Sequence, residues 1–458
     1  LPPKFGTRGL RGLVTELTAD LVADHVRAFA TPCPMGTGLF VAHDLRASSP
    51  AISDMVMKAG RAVGLQVTLC GPIPTPALAL AAMGAGAAAV MITGSHIPAD
   101  RNGLKFYTPD GEITKAHETA ILAALGAEAA DLSGPAPINN DTAAAAYVAR
   151  YTDAYGAALH GQRIGLYAHS AVGRDLMARL LAALGAEVIT LGWSDSFVPV
   201  DTEAVAPELR NQLRLWAVEH TCDAIVSTDG DGDRPLVADA TGEIVAGDVL
   251  GQIAAASLGA TSVVTPVSSN TGVSQGGGFA QVIRTKIGSP HVIAGMAPAT
   301  GNVGGYEANG GFLLGFAAQG PVGPIAPLMT RDAVLPMVAA LHAAREIGLA
   351  ARVAAEAARF TAADRLQEVP MDAAQVFVAG LLQDTDKRAD FLQKLGGTEA
   401  SFDQTDGPRM TLDDGRIVHI RPSGNAPELR LYVEADQTTV ARTTLETGLT
   451  EMAQQLGM

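Results

Sequence analysis

The stretch Ala224-Ile225-Val226-Ser227-Thr228-Asp229-Gly230-Asp231-Gly232-Asp233-Arg234 decides the reading of this chain. Its apolar start reads as a buried strand, which puts the three aspartates on the loop at the strand's end. Loop ends of parallel strands are where open α/β sheets bind ligands. Three carboxylates this close repel one another unless positive charge sits among them. The intervening glycines lift the steric limits on φ/ψ, so the loop can curl until the carboxylates converge. A hard divalent cation with oxygen ligands, such as Mg²⁺, suits that arrangement. A calcium EF-hand would need Gly at the sixth loop position and Glu at the twelfth. Counted from Asp229 those positions hold Arg234 and Ala240, so that reading fails. The competing reading is a solvated acidic turn.

Working outward, strand-like and helical runs alternate. Leu39 to Ala42, Leu65 to Leu69 and Ala87 to Ile92 read as strands, and Ile52 to Val63 has helical spacing. The pattern restarts at Gln162 to Tyr167, followed by a helix over Gly173 to Leu184 with Gly185 as its stop. It restarts again at Thr261 to Thr265 and at Gln281 to Thr285. Such alternation predicts three similar α/β units with mixed, mainly parallel sheets and helices on their faces. The C-terminal part differs. A helical stretch over Ala374 to Leu395 precedes two strands, Gly415 to Ile420 and Leu429 to Val433, which predicts a smaller α+β domain with an antiparallel sheet. The expected domains are 1–141, 142–247, 248–363 and 364–458.

The 458 residues suffice for about three or four domains. A net charge of −15 argues against nucleic acid or an anionic membrane as partner, but a local cationic site can still bind phosphate. The three cysteines, Cys33, Cys70 and Cys222, are odd in number and widely spaced, which suggests neither a disulfide framework nor a zinc motif. A reducing cytoplasm is the expected compartment. The N-terminal run Leu1 to Gly6 shows no apolar leader. Ala77 to Ile92, the longest apolar stretch, is short for a span and reads as a buried helix feeding a strand.

Further segments carry chemistry. Thr93-Gly94-Ser95-His96-Ile97-Pro98 follows an apolar strand, with Lys105 close behind. Ser95 is a candidate nucleophile. The glycines of a hydrolase nucleophile elbow are replaced by Thr93 and Ile97, so that motif is absent. Neighbouring Ser and His side chains seldom face one another, so Ser95 and His96 are not a triad pair by themselves. Gly304-Gly305-Tyr306-Glu307-Ala308-Asn309-Gly310-Gly311 offers a carboxylate and an amide suited to sugar hydroxyls. Arg421-Pro422-Ser423-Gly424-Asn425-Ala426-Pro427-Glu428-Leu429-Arg430 reads as an anion nest. The run Phe5 to Gly12 adds Arg8 and Arg11, and His43 to Ser48 adds Arg46, as further arginines for anions. Singly, each segment also reads as an ordinary polar or glycine-rich turn.

Together these segments resemble the α-D-phosphohexomutase superfamily, the phosphoglucomutase/phosphomannomutase enzymes. Four motifs fall in that family's order across essentially the whole chain. Thr93 to Pro98 resembles its phosphoserine loop, Asp229 to Arg234 its metal loop, Gly305 to Gly310 its sugar loop, and Arg421 to Pro427 its phosphate loop. Departures are Arg8 for Ser, Ile97 for Asn, Asn309 for Ser, Tyr306 before the Glu, and Asn425-Ala426 for Thr-Glu or Thr-Thr.

The resemblance implies four domains around a central cleft, each giving one loop. It implies a phosphoserine at Ser95, primed by a hexose 1,6-bisphosphate, and Mg²⁺ held by Asp229, Asp231, Asp233 and Ser95. Arg11, Lys105 and Arg234 would supply fixed charge, with His96 or Lys105 moving the proton. Glu307, Asn309 and Lys286 would bind the sugar, and Arg421, Ser423, Gly424, Asn425 and Arg430 the phosphate. The implied reaction interconverts hexose 6-phosphate and hexose 1-phosphate. The sugar and phosphate loops look most like the phosphomannomutase branch. Glucose or glucosamine phosphates are alternative substrates. A sugar-phosphate phosphatase and a non-catalytic sugar-phosphate binder are the alternatives of other classes. The expected partners are small sugar phosphates.

Overall fold

The apolar run before the aspartates forms the strand Ala224–Thr228, buried along its whole length. The structure, a computed structural model, describes residues 3–6, 9–127, 132–357, 359–422 and 427–458. Ala224–Thr228 runs parallel to Arg163–Tyr167, which in turn runs parallel to Glu187–Leu191. After the acidic loop the chain turns back as Pro235–Asp239, antiparallel to Ala224–Thr228. The acidic loop is therefore the turn of a hairpin at the edge of a mostly parallel sheet.

The same plan appears in the other two α/β units. In the first, Leu39–His43, Val67–Pro72 and Ala88–Ile92 are parallel, and Arg101–Thr108 returns antiparallel. In the third, Ser262–Pro266, Gln281–Thr285 and Val303–Tyr306 are parallel, and Phe312–Leu314 returns antiparallel. Within each unit these strands lie in the spatial order second, first, third, fourth. Each candidate loop of these units is the connection from third strand to fourth, beside the point where strand order reverses, a preferred ligand position. The expected similarity of the three units is thus one of topology. The sheets are mixed, as expected, and the return strand is an antiparallel member of each, which in the first unit carries Lys105.

The first sheet also takes in Lys4–Gly6, Gly9–Leu13 and, at its far edge, Ile138–Asn139. The C-terminal sheet is antiparallel throughout, in the order Phe360–Gln367, Glu428–Ala435, Ile417–Pro422, Arg409–Leu412, Glu399–Asp403. Asp364 lies inside the first of these strands, so this sheet begins no later than Phe360. The single helix expected over Ala374 to Leu395 is two, Met371–Gln383 and Thr385–Lys394. Asp384 breaks it, because its side chain accepts from the Asp386 and Lys387 amides and caps the second helix.

Alanine-rich helices account for the close approach of the first three units. Thr75–Gly84, Ala143–Tyr155, Gly247–Ser257 and Val334–Ala343 bury Ala77, Ala154, Ala254 and Ala340 in one core shared across those units. The C-terminal domain has a core of its own. Cys33, Cys70 and Cys222 are buried as free thiols. Among the described residues, no helix is long and apolar enough to cross a membrane.

Candidate active site

Ser95 is fully buried and sits at φ 56°, left-handed backbone that a non-glycine residue seldom adopts. Local support holds it there: the Ser95 amide donates to Thr93 Oγ1 at 2.7 Å. Its Oγ donates to Asp229 Oδ2 at 2.5 Å, joining the first and second units. Ser95 Oγ also lies 3.3 Å from His96 Nδ1. The sequence expectation that these neighbours would not face each other is corrected, and the left-handed turn at Ser95 is the reason. With the hydroxyl hydrogen given to Asp229, Nδ1–H of His96 is the donor to Oγ, and Nε2 keeps the lone pair.

The carboxylates of Asp229, Asp231 and Asp233 are buried and each presents an oxygen within 4.8 Å of the others. Gly230 permits this packing, since a Cβ there would stand 2.8 Å from the Ser95 carbonyl oxygen, and Gly232 supplies φ 76°. Thr75 Oγ1 and Lys105 Nζ both donate to Asp231 Oδ2 at 2.5 Å, and Lys105 also reaches Asp233 Oδ2 at 2.8 Å. Burial, with repulsion from Asp231 and Asp233, pushes the Asp229 carboxyl up to about 8. Burial, with repulsion from Asp233, pushes Asp231 the same way, but the charge and hydrogen bond of Lys105 together with the Thr75 hydrogen bond hold that carboxyl below its usual range. Asp231 Oδ1 is buried without a hydrogen-bond partner. An orphaned carboxylate oxygen inside a cluster of three acids fits a hard cation, and the all-oxygen donor set agrees.

Positive groups surround this cluster. The Arg234 amide donates to Asp229 Oδ1 at 3.2 Å, and its Nε lies 3.9 Å from Asp233 Oδ1. Arg11 lies on the strand Gly9–Leu13, opposite Gly103 of the Lys105 strand. Burial, then the charge of Arg234, holds the His96 imidazole well below its usual value, with Arg11 and Arg430 adding to the effect and Asp201 opposing it. These effects favour the neutral form of the His96 ring.

Glu307 and Asn309 are buried in the turn between Val303–Tyr306 and Phe312–Leu314. Asn309 Oδ1 accepts from the Gly311 amide at 3.1 Å and fixes that turn. Lys286 follows the strand Gln281–Thr285 and is exposed. Arg421 and Arg430 stand opposite each other across the two strands that flank the fourth loop. Directly opposed like charges destabilise a strand pair. Here each has an acid nearby, Asp406 3.7 Å from Arg421 and Glu428 3.1 Å from Arg430. Ser423, Gly424 and Asn425, like Arg8 of the N-terminal run, lie outside the described residues.

Two arginines have roles that sequence reasoning missed. Arg46, expected to add charge for anions, spends all five N–H donors on the protein. Nη2 binds the Ser95 and Ile97 carbonyls at 3.0 and 2.6 Å, and Nη1 those of Pro98 and Arg101 at 2.6 and 3.0 Å. Nε binds Asp44 Oδ2 at 3.1 Å. It is a brace for the Ser95 loop. Its approach from a preceding strand end 49 residues away leaves no local signal. Arg331, on the strand Leu328–Asp332, was not singled out at all. It is fully buried and bonds both Asp233 and Glu307. A charged Arg-Asp pair ending an apolar strand was the only available hint.

Comparison with known proteins shows the family. Phosphoglucomutase/phosphomannomutase alpha/beta/alpha domains I, II and III match residues 2–131, 145–242 and 239–360, and the C-terminal domain of that family matches 350–447. A phosphomannomutase of Sinorhizobium fredii is 44% identical over 468 aligned positions, covering 98% of each chain. One of Salmonella muenchen is 43% identical, covering 99% of this chain and 96% of its own. Relatives named phosphoglucosamine mutase are more distant, at 28% to 30% identity. The crystal structure of a phosphoglucomutase/phosphomannomutase family protein from Burkholderia thailandensis shares the fold, with a TM-score of 0.77 at 20% identity over 99% of this chain and 97% of that one.

Proposed function

Because the chain belongs to the phosphoglucomutase/phosphomannomutase family, we propose that it interconverts mannose 6-phosphate and mannose 1-phosphate through a phosphorylated Ser95. The observation that carries this reading is the Ser95 hydroxyl held on Asp229 at 2.5 Å, against three converging carboxylates. The identity to relatives named phosphomannomutase supports mannose over the amino sugar.

Phosphoryl transfer needs positioning and charge neutralisation more than covalent help from the protein. In the first half-reaction the phosphorus–Oγ bond of phospho-Ser95 breaks and a bond forms to the free hydroxyl of the hexose monophosphate. The hydroxyl proton passes to His96, whose neutral imidazole suits a proton acceptor. Lys105 already donates to two aspartates and serves as fixed charge. The resulting 1,6-bisphosphate turns over in the cleft, Ser95 Oγ forms a bond to its other phosphoryl group, and the sugar oxygen released regains the proton from His96. Glu307 and Asn309 hold sugar hydroxyls in both orientations, and Arg421 and Arg430 hold the phosphate that is not reacting. Asp229, Asp231, Asp233 and an oxygen on Ser95 would hold Mg²⁺, which when bound neutralises charge on the phosphoryl group.

Parallel coupled assays on mannose, glucose and glucosamine 1-phosphates test the reading. Highest kcat/KM is expected with mannose 1-phosphate. Release of inorganic phosphate without isomerised sugar would show a phosphatase instead.

A further inference from the structure

Arg331 Nη1 donates to Glu307 Oε2 at 2.7 Å, and its Nη2 donates to Asp233 Oδ2. All three side chains are at most 5% exposed. One guanidinium thus spans from the acidic loop of the second unit to the sugar loop of the third. Its own strand is held from the first unit, where Glu112 accepts from Thr330 Oγ1 at 3.1 Å and from the Arg331 amide at 3.4 Å.

We propose that Arg331 is a positioning residue that couples the cation site to the sugar site, orienting Glu307 for the hexose while competing with the divalent cation for Asp233. The proposal rests on the reading of Asp233 as a metal residue and Glu307 as a sugar residue given above. Arg331 is suited to this because its planar fork can hold two carboxylates in fixed relation, which a point charge such as lysine cannot. Its sign on the metal follows from Coulomb's law. Asp229, Asp231 and Asp233 face two buried cations, Lys105 and Arg331. Removing Arg331 makes the cluster more negative and takes one of two cationic donors off Asp233 Oδ2, leaving Lys105, so a divalent cation binds more tightly. Removing it also releases Glu307, so the sugar binds less well. A merely structural arginine would give the opposite result for the metal, because a loosened acidic loop binds it more weakly.

The test uses the full-length protein, with Mn²⁺ titrated by electron paramagnetic resonance and steady-state kinetics at saturating cation. Arg331→Met is expected to bind Mn²⁺ roughly fivefold more tightly and to raise KM for the sugar phosphate about tenfold or more. Arg331→Lys, which keeps one charge, is expected to hold Mn²⁺ affinity within about twofold of the parent while KM still rises. Weakened Mn²⁺ binding in Arg331→Met, or an unchanged KM, would overturn the coupling. Should Arg331→Met fail to fold, Glu307→Gln decides. It leaves the charge of Arg331 to Asp233 alone, so Mn²⁺ affinity falls although Glu307 is not a proposed ligand, and unchanged affinity refutes the coupling. Asp233→Asn separates the two levels. If it keeps full Mn²⁺ affinity, the reading of the cation site fails. If it loses Mn²⁺ while Arg331→Met behaves as the parent, only the coupling fails.

Discussion

Ser95 Oγ and Asp229 Oδ2 meet at 2.5 Å although 134 residues separate them in the chain. The contact exists because two hairpin turns of separate α/β units face each other, with Gly230 thin enough to admit the Ser95 backbone. It places the proposed nucleophile on a proposed metal ligand. Asp229→Asn keeps the shape and removes the ionisable carboxyl. It is expected to lower kcat on the order of 10²-fold or more, the scale of one lost electrostatic contact to a developing charge. Steady-state kinetics at saturating substrate would check this, and a variant within threefold of the parent would disprove it.

Arg46 offers a prediction on stability as well as on rate. Its guanidinium satisfies four carbonyl oxygens and Asp44 in a buried site. Arg46→Ala leaves the Asp44 carboxylate buried beside fewer donors, a cost of about 3 kcal/mol by analogy with broken buried pairs. Arg46→Lys restores charge without the fork and should recover stability only in part. Urea unfolding measures the first effect, and turnover the second. Full activity in Arg46→Ala would remove its role as a brace for the Ser95 loop.

How much of this was legible in the residues can be argued element by element. The strand before Asp229 and the acidic loop were readable because burial and glycine spacing are local properties. Apolar runs located other strands but not their ends: Leu65 to Leu69 was expected where Val67–Pro72 is found. The return strand Arg101–Thr108 was not readable, because its residues Arg101-Asn102-Gly103 look like loop and become a strand only by pairing with Leu13, Gly12 and Arg11. Arg46 and Arg331 were missed in their actual roles for one physical reason. Arg46 acts within the first unit and Arg331 across units, but both through contacts far off in the chain, and neither the distance nor the fork geometry leaves a mark in local spacing. The Ser95–His96 contact was missed because it needs a positive φ at a residue type that rarely has one.

His419 sets an acid limit on the C-terminal domain. It is buried, its Nε2 bonds the Asp406 carbonyl at 2.7 Å, and its Nδ1 has no hydrogen-bond partner. Burial lowers its pKa from 6.5 to about 4, outweighing the opposing backbone bond to Asp406. A folded-state pKa below the unfolded one favours the fold while the ring is neutral. The stabilisation is complete above pH 6.5 and is lost as pH falls toward 4, at about 1.4 kcal/mol per pH unit. Chemical denaturation across that range should show the loss, and His419→Gln should remove its share of the slope. An identical slope in the variant would contradict the assignment.

Removal of divalent metal should abolish turnover and lower thermal stability together. A ligand at a hundred times its dissociation constant stabilises by about 2.7 kcal/mol. Calorimetry of chelator-treated protein, with and without added Mg²⁺, would read this. Asp231→Asn should erase the Mg²⁺-dependent shift, since Asp231 Oδ1 is the orphaned oxygen of the cluster. A shift of equal size in the variant would place the cation elsewhere.

The most direct test of the central claim is intact-mass and peptide analysis of the protein after incubation with mannose 1,6-bisphosphate, alongside turnover of mannose 1-phosphate. The account predicts one added phosphate, mapped to Ser95, in the parent. It predicts neither phosphate nor mannose 6-phosphate formation in Ser95→Ala. A Ser95→Ala protein that still isomerises mannose 1-phosphate, or a phosphate mapped to another residue in an active parent, would contradict it.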